Sequence, residues 1–148
     1  MTPDEIRAAI SASPAIKALI PDTVAIAAAL SVGRTKVASR FASERGILER
    51  FPGGPMAADA LLAKLEAFAV SGHPMARIVG RAIKFLEQPE GLDIGASTTQ
   101  GLLDQLAAGG VITQTERDGL RAMATVDDPV SEMSVRSALF ADDGSLRV

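Results

Sequence analysis

Few residues in this sequence are of the types that do chemistry, so their positions can be judged one at a time. The single histidine, His73, stands between Gly72 and Pro74. A catalytic imidazole needs a nucleophile on one side and an orienting partner on the other. No local pattern supplies either, and His73 reads as a loop residue at a helix start. Carboxylate pairs occur at Asp4-Glu5, Asp127-Asp128 and Asp142-Asp143. Each falls at an expected helix start or turn, where a side-chain acceptor caps free N–H groups. Glycosidase chemistry sets two carboxylates in a cleft, usually beside aromatic platforms, and this chain has neither Trp nor Tyr. Asp142-Asp143-Gly144 looks like a fragment of a calcium loop, without the further ligands or the closing Glu. Gly53-Gly54 lies between two prolines with no Lys-Ser or Lys-Thr after it, unlike a phosphate-binding loop. With no Cys in the chain, disulfides, thiolate metal sites and a cysteine nucleophile are excluded. The expectation is a non-enzyme with no cofactor, no metal and no small-molecule substrate. A hydrolase ranks last for want of a nucleophile–base set.

One stretch has the spacing of a nucleic-acid reader. Residues 27–37 run "AAALSVGRTKV", close to the turn and second-helix start of a helix-turn-helix. Ala27, Leu30, Val32 and Val37 match the apolar frame of two helices packed at a steep angle. Arg34, Thr35, Lys36 and Arg40 would then face the groove. The glycine is displaced, however. Ser31 stands where the turn Gly belongs, and Gly33 stands where the capping Ser belongs. The competing reading is that a helix stops at Gly33 and an exposed extended segment follows. A DNA-binding regulator using residues 24–41 is therefore the alternative function, not the first.

Composition and charge frame these choices. Apolar residues are 47% of the 148, enough for a core. Twenty-six residues are Ala, and aromatics are only 3%. Small side chains let helices approach closely but bury little area each. Net charge is −3, which disfavours nucleic acid, since phosphate neutralisation dominates that affinity. The charge is uneven. Residues 31–51 carry Arg34, Lys36, Arg40, Arg45 and Arg50 against Glu44 and Glu49, while residues 127–148 carry Asp127, Asp128, Glu132, Asp142 and Asp143 against Arg136 and Arg147. Arg34, Lys36, Arg40, Arg45, Arg50, Asp142 and Asp143 are accordingly the candidate partner-binding residues. No apolar run approaches the roughly 20 residues that span a bilayer. The acidic start, Met1-Thr2-Pro3-Asp4-Glu5, is unlike a secretory signal, so a soluble protein made in a cytoplasm is expected.

The elements that must position these residues are helical. Thr2-Pro3-Asp4-Glu5 is a capping box with Pro at the first helical position, and Ile6 and Ile10 share the face that follows. Ser13-Pro14 restarts a short helix. Asp22 or Thr23 caps a third, through Leu30. Residues 32–40 fit helix or strand, and 41–51 hold a short helix. Pro52-Gly53-Gly54-Pro55 is a firm break. Helices over about 56–70 and 74–87 follow, with Leu61, Leu62, Leu65 and Phe68, then Ile78, Val79, Ala82, Ile83 and Leu86, at helical spacing. Leu92–Gly95 is extended. Ser97 or Thr98 caps a helix ending at Gly109-Gly110. Thr113-Gln114-Thr115-Glu116 is a second capping box, and Asp128-Pro129 starts the last helix. "AALSVGRTKV" is faintly echoed by "SALFADDGSLRV", which suggests pairing 34–37 with 145–148. The fold class is all-α: a compact bundle of about seven to nine short helices with that small two-stranded β element. The chain reads as one domain, 1–148, with the Pro52–Pro55 break as the place where it would divide into 1–51 and 56–148.

Three stretches carry a family resemblance: "IRAAISASPAIKALIPDTVAIAAALSVGRTKV" (6–37), "LLDQLAAGGVITQTERDGLRAMA" (102–124) and "DDPVSEMSVRSALF" (127–140). In these the chain resembles small, little-characterised helical proteins encoded among the virion and tail genes of tailed bacteriophages. Residues 41–95 are less distinctive. The resemblance implies a tail or neck component or assembly factor working by protein–protein contact, with other virion proteins as partners in symmetric multiple copies. It implies a host-cytoplasmic stage followed by the mature virion, and it carries over no catalytic residue.

Overall fold

The computed structural model describes residues 1–148, which are mostly helical: nine helices and two small two-stranded sheets. By internal contacts the chain divides into two compact units, Met1–Lys36 with Asp127–Val148, and Val37–Val126. The Pro52–Pro55 break is therefore not a boundary. It is a tight turn inside the second unit, joining two helices that pack on each other, α4 (Glu44–Arg50) and α5 (Pro55–Ala69).

In the first unit α1 (Pro3–Ala12) starts at the expected capping box. Thr2 Oγ1 accepts from the Glu5 N–H, and Glu5 accepts from the Thr2 N–H. Ser13 caps α2 (Pro14–Lys17), and Asp22 accepts from the Ala25 N–H to cap α3 (Thr23–Ser31). Both α1 and α3 pack on α9 (Glu132–Leu139). The core is Ile6, Ile10, Ile26, Ala27, Leu30, Val135, Ala138 and Leu139. Alanines facing α9 let the backbones approach, while each fully buried Ile or Leu contributes about 1.5–3 kcal/mol. The last helix begins later than the Asp128-Pro129 signal suggested. Ser131 is its cap, accepting from the Ser134 N–H, because the Asp128 carboxylate is already bound to Arg34.

Residues 32–40 resolve against a second helix. Val32 ends α3, Gly33 takes φ +70°, and Thr35–Val37 form β1. No helix follows α3 before Glu44, so the helix-turn-helix geometry over 24–41 is absent. The expected pairing of 34–37 with 145–148 is also corrected. β1 pairs with β4 (Thr125–Asp127). The bonds flanking it, Asp128 N–H to Arg34 O (3.0 Å) and Ala38 N–H to Ala124 O (2.9 Å), count in opposite directions, so the ribbon is antiparallel. The C-terminus cannot reach it. Gly144, at φ +81°, folds the tail back on its own helix, where Leu146 bridges Phe140 and the Arg147 N–H bonds Leu139 O.

In the second unit β2 (Phe41–Ala42) leads into α4, capped by Ser43. The two helices expected over about 56–70 and 74–87 are α5 and α6 (Ala76–Leu86), which pack on each other as a hairpin. A short β3 (Leu92–Asp93) pairs antiparallel with β2, with Phe41 opposite Asp93 and Ala42 opposite Leu92. Next come α7 (Ser97–Ala108) and α8 (Gln114–Met123), the latter opened by the Thr113–Glu116 capping box. For α7 the cap position is Ala96, with no side-chain bond, rather than Ser97 or Thr98. The core gathers Ile47, Leu61, Leu65, Val79, Leu86, Ile94, Leu103, Leu106 and Leu120. Phe51 lies over Gly119, where a Cβ would come within 2.7 Å of the ring.

Candidate functional site

Three of the predicted arginines come together. Arg40 precedes β2, Arg45 lies on the first turn of α4 and Arg50 ends it. They line one surface pocket of about 250 Å³, with Phe41, Glu49, Pro89, Glu90 and Met123 completing its wall. Phe41 is 63% exposed, an unusual position for one of only five aromatic residues in the chain. Arg45 Nε donates to Glu49 Oε1 at 2.8 Å. That bond holds the Glu49 carboxyl below, and the Arg45 guanidinium above, their ordinary pKa ranges. Arg40 and Arg50 form no ion pair.

The frame beneath the pocket is the segment "GLDIG", residues 91–95. Asp93 Oδ2 accepts from the Ser39 hydroxyl at 2.7 Å, and Oδ1 accepts from the N–H groups of Arg40 (2.8 Å) and Gly95 (3.0 Å). The Ser39 bond first, and the Arg40 N–H next, hold the Asp93 carboxyl below its ordinary range. Ile94 N–H closes the other side, donating to Arg40 O at 2.9 Å. Two glycines let the strands meet. A Cβ on Gly91 would lie 2.2 Å from Ala42 O, and one on Gly95 would lie 1.7 Å from Ala38 O. Arg40 thus projects from a backbone fixed on both sides. Sequence reading placed 92–95 as extended but missed Asp93 as the organiser. The available signal was an acidic residue between two glycines four apart.

The remaining predicted residues lie elsewhere and have other work. Arg34 and Lys36 both reach Asp128, at 2.6 and 3.6 Å. The Arg34 bond first, together with its charge and that of Lys36, lowers the Asp128 pKa against the opposing effect of burial. Asp143 Oδ1 accepts from the Ser145 N–H (2.9 Å) and hydroxyl (2.6 Å), which shapes the turn after α9 and lowers its own pKa. Asp142 lines a shallow groove with Pro21, Thr23, Arg136 and Phe140. His73 Nδ1 accepts from the Met75 N–H at 3.1 Å, and its ring stands 5.1 Å from that of Phe68.

The pocket offers two unpaired guanidiniums, one paired guanidinium and an exposed ring on a rigid backbone. That set can pair with anionic groups and pack against an apolar one. No helix of the chain is long and apolar enough to cross a membrane. Comparison with protein-family models, with curated proteins and with solved structures returned no match.

Proposed function

We propose that this chain is a structural component of a bacteriophage particle, of the tail or neck, that acts by protein–protein contact. It would be assembled in the host cytoplasm, carried into the mature virion, and present in symmetric multiple copies. The phage setting rests on the resemblance of residues 6–37, 102–124 and 127–140 to proteins of that class. The observation that favours a contact role is Phe41, 63% exposed beside two arginines without ion-pair partners. Side chains of this kind bury well against a partner and supply most of the affinity of an interface. Repetition around a symmetric particle would add stability that a small Ala-rich core lacks.

Mass spectrometry of purified particles tests the reading. The chain should be found at fixed stoichiometry, and a variant with Phe41→Ala, Arg40→Glu and Arg50→Glu should be depleted from particles while remaining folded. Absence of the wild-type chain from particles would sink the virion role. Undiminished incorporation of the triple variant would sink the pocket as the contact.

A further inference from the structure

A second surface of the Val37–Val126 unit has a different chemistry. On α6 the buried side is Ala76, Val79 and Leu86, with Ile83 half-buried. At 100° per residue the opposite side is Lys84, Arg77 and Arg81, within an arc of about 60°. All three cations are exposed, none forms an ion pair, and α6 carries no carboxylate. Next to Arg81 on the same helix come Phe85 and Ile78, 50% and 56% exposed. These two side chains form one wall of a cleft of about 210 Å³ whose other wall is Thr98, Thr99 and Leu102 of α7. No acidic residue lines it. Its floor, through Ala82, Leu92, Thr99 and Leu102, adjoins an interior lined almost wholly by aliphatic side chains.

An apolar cleft bordered by a row of cations along one helix is the complement of an amphipathic helix with apolar residues on one face and carboxylates at its margin. We propose that the α6–α7 cleft docks an acidic amphipathic helix of a protein partner. One apolar side chain enters between Phe85 and Leu102, and carboxylates pair with Arg77, Arg81 and Lys84. Concavity favours this occupant over a lipid surface, since a bilayer meets protruding apolar side chains rather than a slot between helices. Helix-in-groove recognition of this kind reads apolar anchors at i, i+3 or i+4, and i+7. The row of cations fixes the sign of the partner and supplies a rate of encounter that falls with salt.

The test is selection of a random displayed peptide library on the intact protein. Enriched peptides should carry Asp and Glu with Leu, Ile, Phe or Met at helical spacing. Their binding should weaken as salt rises, and amide-shift mapping on the wild-type protein should place them on residues 77–85 and 98–102. Phe85→Ser and Arg81→Glu, both at exposed positions, should each weaken binding about tenfold or more without moving the thermal transition. Ile78→Ser replaces the first variant if it fails to fold. Arg40→Glu and Arg50→Glu should leave peptide binding unchanged, which separates this surface from the pocket of the proposed function. Enrichment without acidic residues, or binding that survives both cleft variants, overturns the proposal. So does sedimentation with phosphatidylglycerol vesicles that Phe85→Ser abolishes, which would assign the cleft to a membrane. Self-association abolished by the same change would assign it to a second copy and likewise overturn the proposal.

Discussion

Arg34 holds Asp128 in three ways. Its Nη2 donates to Asp128 Oδ2 at 2.6 Å, its Nε donates to the Asp128 carbonyl at 3.2 Å, and its own carbonyl accepts from the Asp128 N–H at 3.0 Å. These bonds join residues far apart in sequence where β1 begins and β4 ends. A guanidinium is suited to the task because its fork of donors can serve a side chain and a backbone oxygen together.

The acid limb of the stability curve should report this pair and the Asp93 cluster. Both carboxyls are held below the ordinary Asp value of about 3.9, by Arg34 in one case and by Ser39 and the Arg40 N–H in the other. A depressed folded-state pKa contributes stability that is complete above the unfolded value and is lost as pH falls through the folded one. Asp128→Asn and Asp93→Asn should therefore lower the melting temperature at neutral pH and flatten its decline below about pH 4. Thermal melts from neutral to strongly acid pH check this. A decline as steep as that of the wild type would show that other carboxylates govern acid unfolding.

Gly95→Ala should be among the most damaging single changes outside the core. The added methyl meets the Ala38 carbonyl rather than a movable side chain, so the cost should be on the order of 3 kcal/mol or more. Gly101→Ala is the control. Nothing lies within 4 Å of its Cβ position, and it sits within a helix, where Ala is favoured by up to about 1 kcal/mol. Chemical denaturation of the two variants should move in opposite directions.

Leu139→Ala and Ile26→Ala remove fully buried side chains of the first unit, and each should cost about 2–5 kcal/mol. Hydrogen exchange should show the loss in α1, α3 and α9, while amides of α5 and α7 keep their protection. Uniform loss across the chain would mean that the two units unfold as one.

The neighbouring strand ends also predict that the second unit can be cut out. Joining Lys36 to Val126, which stand opposite each other in this register, through Asn-Gly, a dipeptide suited to two-residue hairpins, should leave a small folded protein with the Ile6–Leu139 core. Residues 37–126 expressed alone should fold as well. Circular dichroism and NMR dispersion test each piece, and an unfolded 37–126 fragment would contradict the division.

Local signals were the legible part of the sequence. Both capping boxes, the restart at Ser13-Pro14, a cap at Asp22 or Thr23 (it is Asp22), the stop at Gly33 and the turn at Gly144 depend on residues within four positions of one another, and all appear in the structure. Partnerships between distant segments were not legible. The echo between 34–37 and 145–148 pointed to the wrong strand, because Asp128 rather than the tail carries the carboxylate that Arg34 needs. Arg40, Arg45 and Arg50 could be picked out as a basic run, but their shared pocket depends on Asp93, 53 residues beyond Arg40, and on the two glycines that flank it. The charge excess could be read from composition. The backbone that aims it could not.

The bond between Ala38 and Ala124 has a consequence for the order in which the chain folds. The two pieces of the first unit are separated in sequence by the whole of Val37–Val126, and the second of them leaves the ribosome after that unit. Closing so long a loop as a free coil is entropically costly. Once the intervening unit has folded, its ends lie side by side, and the gap to be closed shrinks to the few residues of the ribbon. At this length the saving is roughly 2 kcal/mol of chain entropy. Folding of the inserted unit thus brings together the two segments that flank it in sequence. A change that slows its folding, such as Gly95→Ala, should delay the docking of α9 on α1 and α3 without touching a residue of that core.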